Sequence, residues 1–291
     1  MWLKLQYQIR YYWAKLFPAK EIVQGPLVLT AVFKNEAPFL KEWLDFHYNQ
    51  GFSRIYLVDN YSNDHPETVL KPYIASGRLV LSKSQSPQMN ARIQAMELNR
   101  SLRQIKQREG LNCWVAVIDV DEFLFNPASK SIPEVLKQFQ GRKIAAVMIN
   151  WLMFGTSGIK QLADDKPMTE QLIRRAHLSL GEHQMVKPIL YLANVQGFLE
   201  GPHQAFAKAK ASFVYTDGGA FNHANDRILE QELRLHHYWY RSEDYYNSEK
   251  RLKRRAFGDE RSGKREADHI RACNYEEDRS ILPLLKRKPK R

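Results

Sequence analysis

The chain has 291 residues, of which 44% are apolar and 12% aromatic, enough to bury a large core in one domain. Only Cys113 and Cys273 occur, far apart in sequence, which argues against a disulfide framework. Nearly all of the net charge of +12 lies at the two ends, because residues 1–25 carry +3 and residues 250–291 carry +8. The basic tail lacks the interleaved aromatic residues typical of a nucleic-acid groove, so we expect no nucleic acid among the partners.

The N-terminal region places apolar and aromatic residues at helical spacing over residues 2–17, up to Pro18. This pattern predicts an amphipathic helix that either lies in a membrane interface or packs on the domain. The longest apolar stretch, Ile144 to Phe154, is too short to span a bilayer, and no secretory signal pattern is present. We expect a cytoplasmic protein, with attachment to an anionic membrane surface as one option for its basic ends.

The first unit of secondary structure that the sequence predicts is a strand followed by a helix and a second strand. Leu27 to Phe33 forms a buried type of strand, Pro38 to Asn49 an amphipathic helix, and Arg54 to Val58 a second strand. This spacing predicts a parallel βαβ unit with both strand ends on one edge of a sheet. Ligands bind at that edge in open α/β sheets.

Polar side chains follow both strands at this edge. Asn35 and Glu36 come after the first strand, and Asp59 and Asn60 after the second. No glycine-rich phosphate loop follows either strand, which argues against a dinucleotide oxidoreductase or a P-loop NTPase. These four side chains can hydrogen-bond a nucleobase and ribose, although the second group also fits an ordinary turn rich in Asx residues.

A short third strand at 79–81 and an amphipathic helix over 89–107 lead to the central apolar run, which begins at Trp114. The run ends in Asp119-Val120-Asp121-Glu122, three carboxylates within four residues. Alternation along an extended chain would place Asp119 and Asp121 on one face. Two carboxylates of this kind, with room left for phosphate oxygens, favour Mg²⁺ or Mn²⁺ as a cofactor.

Five segments in order carry a resemblance to a known family: Val32–Glu36 with Glu42-Trp43, Tyr56–Asp64, Asp119–Phe123, Asn150–Gly158 and Leu235–Ser242. Together they resemble the GT-A glycosyltransferases, and most closely glycosyltransferase family 92 and its bacterial family-2-like relatives. The resemblance covers roughly residues 27–255. It implies a GT-A fold, which is a Rossmann-like α/β fold with a mostly parallel sheet flanked by helices.

The resemblance also implies roles for these residues. The donor would be a nucleotide sugar, with base or ribose contacts from Glu36 and Asp59 and a divalent cation at Asp119 and Asp121. Close contacts to sugar or acceptor would come from Trp151, Gly155, Thr156, Ser157 and Gly158.

A late histidine commonly completes the metal site in such enzymes, and His203 and His237 are both candidates, with His203 slightly favoured. His236-His237 departs from the asparagine that the family often has, so the role of this segment stays open. Arg174 and Lys187 are candidates to offset phosphate charge.

If the reaction inverts the anomeric centre, a carboxylate must deprotonate the acceptor hydroxyl. Glu182, Glu200 and Asp217 are the candidates, with Glu182 preferred for its separation from His203.

We divide the chain into an N-terminal helix (1–25), a glycosyltransferase domain (26–242) and a basic helical extension (243–291), with a long charged helix over 243–271. The expected activity is metal-dependent transfer of a hexose from a nucleoside-diphosphate sugar, with UDP-galactose as a family-level guess. The acceptor would be a hydroxyl of a surface glycan or glycolipid. The alternatives are a sugar nucleotidyltransferase and a non-catalytic binding module with a degenerate transferase core.

Overall fold

The structure is a computed structural model that describes residues 16–88, 90–199, 201–203, 205–222, 227–251 and 263–285, without the side chains of residues 263 and 264. Most of the predicted N-terminal helix, Glu200 and the basic residues 286–291 lie outside these ranges.

Thirteen strands are found in the described residues: β1 (Leu27–Phe33), β2 (Arg54–Asp59), β3 (Leu79–Lys83), β4 (Trp114–Val117), β5 (Glu122–Phe125), β6 (Ile144–Met153), β7 (Arg174–Arg175), β8 (Val186–Tyr191), β9 (Val195–Phe198), β10 (Ala205–Ala207), β11 (Ser212–Tyr215), β12 (Arg234–His237) and β13 (Glu276–Glu277). The helices are α1 (Ala37–Asn49), α2 (Pro66–Ala75), α3 (Ala91–Glu109), α4 (Ile132–Leu136), α5 (Met168–Gln171), α6 (Glu243–Tyr245), α7 (Gly263–Cys273) and α8 (Leu282–Leu285). A π-helical turn, Tyr246–Lys250, continues α6, and short 3₁₀ turns occur at Lys137–Phe139, Gly181–Gln184 and Leu192–Asn194.

Nine of these strands form the central sheet in the order β3-β2-β1-β4-β8-β6-β12-β5, with β11 also paired to β6. The pairs β1 with β2, β1 with β4, β2 with β3, and β6 with β11 and β12 are parallel. Strand β8 is antiparallel to β4 and β6, and β5 is antiparallel to β12. One edge of the sheet therefore collects the C-terminal ends of five strands, β1, β2, β4, β6 and β12, together with the N-terminal ends of β5 and β8. We call this edge the carboxyl edge.

Helices cover both faces of the sheet because strand residues alternate between them. On one face Leu29 of β1 joins the apolar cluster of Leu40 and Trp43 from α1. On the other face Val28 joins the cluster that contains Leu98 of α3. Asn90 begins α3, and its side chain accepts a hydrogen bond from Ile93 N at 3.0 Å. This layered, mostly parallel sheet confirms the predicted α/β class.

The central strand ends earlier than the sequence pattern predicts. Strand β4 stops at Val117, and Glu122 N donates to Asp119 O at 3.1 Å, which closes a turn before β5 begins. Asp119 and Asp121 therefore lie in a turn at the carboxyl edge. The prediction that strand alternation places them on one face was wrong, because the chain is not extended there.

The C-terminal segment packs on the same core. Cys273 of α7 is fully buried beside Met153 and Tyr240, and β13 pairs with β7. Of the predicted long helix over 243–271, residues 243–250 and 263–273 are helical, and residues 252–262 lie outside the described ranges. Both cysteines are free. Among the described helices, none combines the length and apolar character needed to cross a membrane.

Candidate active site

The turn between β4 and β5 places Asp119 against a buried lysine. Lys187 Nζ, at the start of β8, donates to Asp119 Oδ2 at 2.6 Å and lies 3.6 Å from Glu122 Oε1. Burial alone would lower the pKa of Lys187, but the two carboxylates raise it above its usual value. Lys187 therefore stays charged in the core. It faces the acidic turn, and its role in offsetting phosphate charge stays a prediction.

Asp121 is paired with a different basic residue, Lys250. It is buried and forms an ion pair with Lys250 of the π-helical turn, while His237 Nε2 lies 3.6 Å from its Oδ1. Burial would raise the pKa of Asp121, but Lys250 and His237 outweigh burial and hold the pKa well below its usual range. Asp121 is therefore an anion at neutral pH. The Lys250 ammonium also lies 4.5 Å from the centre of the Trp239 ring.

Glu122 is the third carboxyl group of the turn and is fully buried. Burial raises its pKa to about 7 despite the opposing charge of Lys187. Its Oε2 accepts a hydrogen bond from Asp119 N at 2.8 Å, and its backbone oxygen accepts one from Trp43 Nε1 at 2.8 Å. Through these two hydrogen bonds, Glu122 fixes the turn that carries Asp119 and Asp121.

Both candidate histidines lie beside Trp151. The ring centres of His237 and Trp151 are 4.3 Å apart, and those of His203 and Trp151 are 5.2 Å apart. His203 Nδ1 lies 2.9 Å from Val186 O, a contact in which the ring nitrogen donates, and burial lowers the His203 pKa to about 4. His203 is therefore a neutral imidazole. His237, and not the slightly favoured His203, lies next to Asp121.

The divalent cation expected at this turn stays a prediction. Neither ring nitrogen of buried His237 has a hydrogen-bond partner among the described residues, and one faces Asp121. Within the described ranges, no group of three or more His, Cys, Asp or Glu side chains could hold a metal ion. Asp119 and Asp121 are instead each paired with a lysine.

Glu36, after β1, is buried and paired within the protein. Arg241 Nη1 lies 2.5 Å from Glu36 Oε2, and Tyr245 Oη donates to the same oxygen at 3.3 Å. Arg241 is fully buried, with its guanidinium 3.6 Å from the centre of the Phe39 ring. Glu36 therefore joins the end of β1 to the segment that leads into α6 and Lys250. The family-derived contact of Glu36 with base or ribose stays a prediction.

The polar residues after β1 and β2 bind each other. Asn35 Oδ1 accepts from Asn63 N at 3.0 Å, and Asp59 Oδ1 accepts from Ser62 N at 2.9 Å. Asn60 is buried and donates to Ser86 O at 2.7 Å. These contacts are those of a turn rich in Asx residues, as the second interpretation of the sequence held. They also shape a polar rim at the carboxyl edge.

The loop 155–158 packs against the C-terminal segment. A Cβ at Gly155 would lie 2.2 Å from Asn274 Oδ1 and 2.8 Å from Cys273 C, and Ser157 N donates to Asn274 Oδ1 at 2.7 Å. Thr156 is buried, and its hydroxyl accepts from Asn274 Nδ2 at 3.3 Å. The close approach predicted at Gly155 is therefore made to this chain's own backbone. At Gly158 a Cβ would meet nothing within 4 Å.

Arg174 also contacts the C-terminal segment. Its guanidinium donates to Asn274 O at 2.8 Å and to Tyr275 O at 3.1 Å. The side chain thus holds the segment before β13, and its role in offsetting phosphate charge stays a prediction.

Of the candidate bases, Glu182 lies in the turn before β8, at the carboxyl edge. Its Oε1 is 2.8 Å from His269 Nε2 of α7. Asp217 lies in the turn after β11 and is paired with Arg227 at 2.5 Å. In the same turn, Arg142 donates to Gly218 O and Gln138 donates to Thr216 O. The structure does not bring Asp217 to the acidic turn, and Glu200 lies outside the described residues.

Sequence reasoning missed two residues of this site. Lys250 was one of fifteen Lys and Arg in residues 250–291. Arg241 lies inside the family-like segment Leu235–Ser242, but no role was predicted for it. A basic residue that pairs with a carboxylate 129 positions away leaves no local pattern.

An open α/β sheet that gathers carboxylates, cations and two imidazoles at the ends of its parallel strands defines a ligand-binding protein of the doubly wound class. Residues 30–261, most of the chain, match the family model "Glycosyltransferase family 92". The chain belongs to glycosyltransferase family 92.

Plant relatives in this family are similar to part of the chain. A family 92 protein of Ricinus communis is 29% identical over 138 residues, which are 47% of this chain and 24% of the relative. A family 92 protein of Arabidopsis thaliana is 30% identical over 112 residues, 38% of this chain and 18% of the relative. The matched part thus spans about a quarter or less of these relatives.

Among solved structures, S. aureus TarS 1-349 is 14% identical with a TM-score of 0.36, covering 84% of this chain and 69% of the other. The same protein in complex with UDP gives a TM-score of 0.33 at 14% identity, covering 63% and 47%. Similarity at this level carries no argument about the present chain.

Proposed function

We propose that this protein transfers a hexose from a nucleoside-diphosphate sugar, with UDP-galactose as the first donor to test, to a hydroxyl of a surface glycan or glycolipid. The single observation that carries the proposal is the acidic turn, where Asp119 and Asp121 face a cation each at the carboxyl edge of a family 92 domain. Such an arrangement suits a leaving group that becomes more negative as the sugar departs.

The proposed cofactor is Mn²⁺ or Mg²⁺, with Asp119 and Asp121 as its protein ligands and the remaining positions left to water and phosphate oxygens. When bound, the metal would neutralise the charge that develops on the diphosphate. Lys187 keeps Asp119 in place from inside the core, and Asp59 with Asn35 forms the rim beside which a nucleoside would lie. This arrangement requires no basic loop of the P-loop type.

For the acceptor, we propose Glu182 as the general base of an inverting reaction. The carboxylate lies in the turn before β8, and its bond to His269 fixes its direction. A carboxylate in this position can take the hydroxyl proton as the new glycosidic bond forms.

The test measures UDP release from UDP-galactose in the presence of candidate acceptors, with and without Mn²⁺. We expect metal-dependent release by the wild type and a loss of at least about a hundredfold in Asp121→Asn, the range seen when one charge-stabilising group is removed. Asp268→Asn removes an exposed carboxylate on α7 and serves as the matched control. Equal release by Asp121→Asn and the control, or release that ignores the metal, contradicts the proposal.

A further inference from the structure

A cavity of about 460 Å³ lies away from the carboxyl edge, between α3 and β9. Gln94, near the start of α3, donates to Asp119, whereas Lys106 lines the cavity near the end of the same helix. Lys106 follows Gln94 by twelve positions, which span about 18 Å at the helical rise. None of the residues that line the cavity belongs to the acidic turn or its partners, so the cavity is described as a separate site.

Its walls are held in place by part-buried polar contacts between α3 and β9. Asn99 of α3 donates to Phe198 O at 2.7 Å and accepts from Phe198 N at 2.8 Å, so it binds β9 like a strand partner. Gly197 beside it has φ +132°, and a Cβ there would lie 2.2 Å from Asn99 Oδ1. Only glycine allows this approach, which keeps the cavity open between helix and strand.

The N-terminal side of the cavity is fixed in the same way. Asn194 accepts from Lys20 N at 2.7 Å and donates to Lys20 O at 2.8 Å. These bonds hold the segment that carries Phe17, which lines the cavity. Leu16 and Phe17 expose 69% and 48% of their surfaces, so an apolar rim lies next to the opening.

Three basic side chains line the cavity: Arg103 and Lys106 from α3, and Lys208 after β10. Among the described residues none of the three forms an ion pair, and no carboxylate lines the cavity with them. Burial, followed by the charges of Lys106 and Lys20, lowers the pKa of Lys208. Like charges gathered around one cavity repel each other, and an anion placed among them would relieve that repulsion.

We infer that this cavity binds the phosphate group of an amphiphilic ligand, with the phosphate between Arg103, Lys106 and Lys208 and the apolar part along Leu16 and Phe17. Arg and Lys are the side chains that bind phosphate oxygens. The volume exceeds what a single phosphate fills, which leaves room for a glycerol or sugar headgroup. The inference does not depend on the proposed transfer reaction, because it concerns binding at a separate site.

The test compares the full chain with a triple variant, Arg103→Gln, Lys106→Gln and Lys208→Gln. The matched control, Lys71→Gln, Lys130→Gln and Lys166→Gln, removes the same charge from exposed positions elsewhere. Binding of glycerol 3-phosphate is measured by calorimetry without added metal. Co-sedimentation is measured with phosphatidylcholine vesicles that contain or lack phosphatidylglycerol.

We expect the cavity variant to bind glycerol 3-phosphate at least about tenfold more weakly than the control, given the contribution of each basic residue near an anionic surface. If vesicle binding weakens in parallel, the phosphate comes from a lipid headgroup; if it does not, the ligand is a soluble phosphate ester. Arg103→Lys keeps the charge and should retain binding, which separates loss of the site from loss of the fold. Equal binding by the cavity and control variants overturns the inference.

Discussion

The Lys250–Asp121 pair is the residue contact on which the acidic turn most depends. Both side chains are almost fully buried, so removing one partner leaves the other charge without compensation. We predict that Lys250→Met lowers the free energy of unfolding by about 3–5 kcal/mol, the usual cost of breaking a buried pair. Urea denaturation measures this loss. The double variant Lys250→Met, Asp121→Asn should recover part of it, and a double variant as unstable as the sum of the singles would contradict the pairing.

Lys250→Met also tests whether a divalent metal ion binds at Asp121. A Mn²⁺ ion at Asp121 would have to displace Lys250 in the wild type, whereas in Lys250→Met no lysine competes for the carboxylate. Ligand binding to the native state raises stability by mass action. Mn²⁺ should therefore raise the melting temperature of Lys250→Met more than that of the wild type. An equal shift in both proteins would argue against a cation at Asp121.

The burial of His47 predicts how the free energy of unfolding depends on pH. It is fully buried, and burial lowers its pKa to about 3, against an ordinary value of 6.5. Its Nε2 accepts from Leu124 N at 3.3 Å, which only the neutral ring can do. The unfolded chain therefore binds the proton more readily, and the stability contributed by neutral His47 is present above pH 6.5 and is lost as the pH falls toward 3.

We expect His47→Gln to reduce the slope of unfolding free energy against pH in this window by up to one proton, about 1.4 kcal/mol per pH unit. His65→Gln, at a side chain that is 83% exposed, is the control and should leave the slope unchanged. Unfolding curves at several pH values measure both slopes. Identical slopes in wild type and His47→Gln would refute this assignment.

At the scale of elements, the first strands could be predicted from continuous apolar runs and the first helices from their helical period. Leu27–Phe33 is buried throughout its length and was predicted with the bounds that the structure shows. The turn at Asp119 was not predictable from alternation, because an apolar run gives no sign of where the chain stops being extended. The partners Lys187 and Lys250 come from distant elements, so only the fold brings them to the acids.

The loop 155–158 allows a prediction at this scale with an internal control. A Cβ at Gly155 would collide with the backbone of Cys273, whereas a Cβ at Gly158 would meet open space at φ +72°. Gly155→Ala should therefore cost about 1–3 kcal/mol through overpacking, and Gly158→Ala only about 1 kcal/mol of backbone strain. Hydrogen exchange should also show lost protection in α7 for Gly155→Ala alone. Equal protection in the two variants would mean that the loop does not hold the C-terminal segment.

For the whole molecule, the division at residue 242 predicted from charge separates parts that the structure packs together. Arg175 of β7 is 10% exposed and lies 2.9 Å from Glu276 and 3.1 Å from Asp278. Residues 250–291 carry a net charge of +8, and composition does not show which apolar side chains face the core. Cys273 and Ile281 are buried in that core.

The C-terminal segment should consequently unfold together with the sheet. A chain that ends at residue 262 loses Glu276 and Asp278, two of the three carboxylates that pair with Arg175, and exposes the surface that Cys273 covers. Its denaturation midpoint should fall well below that of the full chain, because a buried charge with only Glu230 left as a partner and a lost apolar contact act together. A chain that ends at Leu285 keeps these contacts and should match the full chain. Equal midpoints for all three proteins would show that residues 263–285 add no stability to the domain, and the separate extension expected from the sequence would then be the better description.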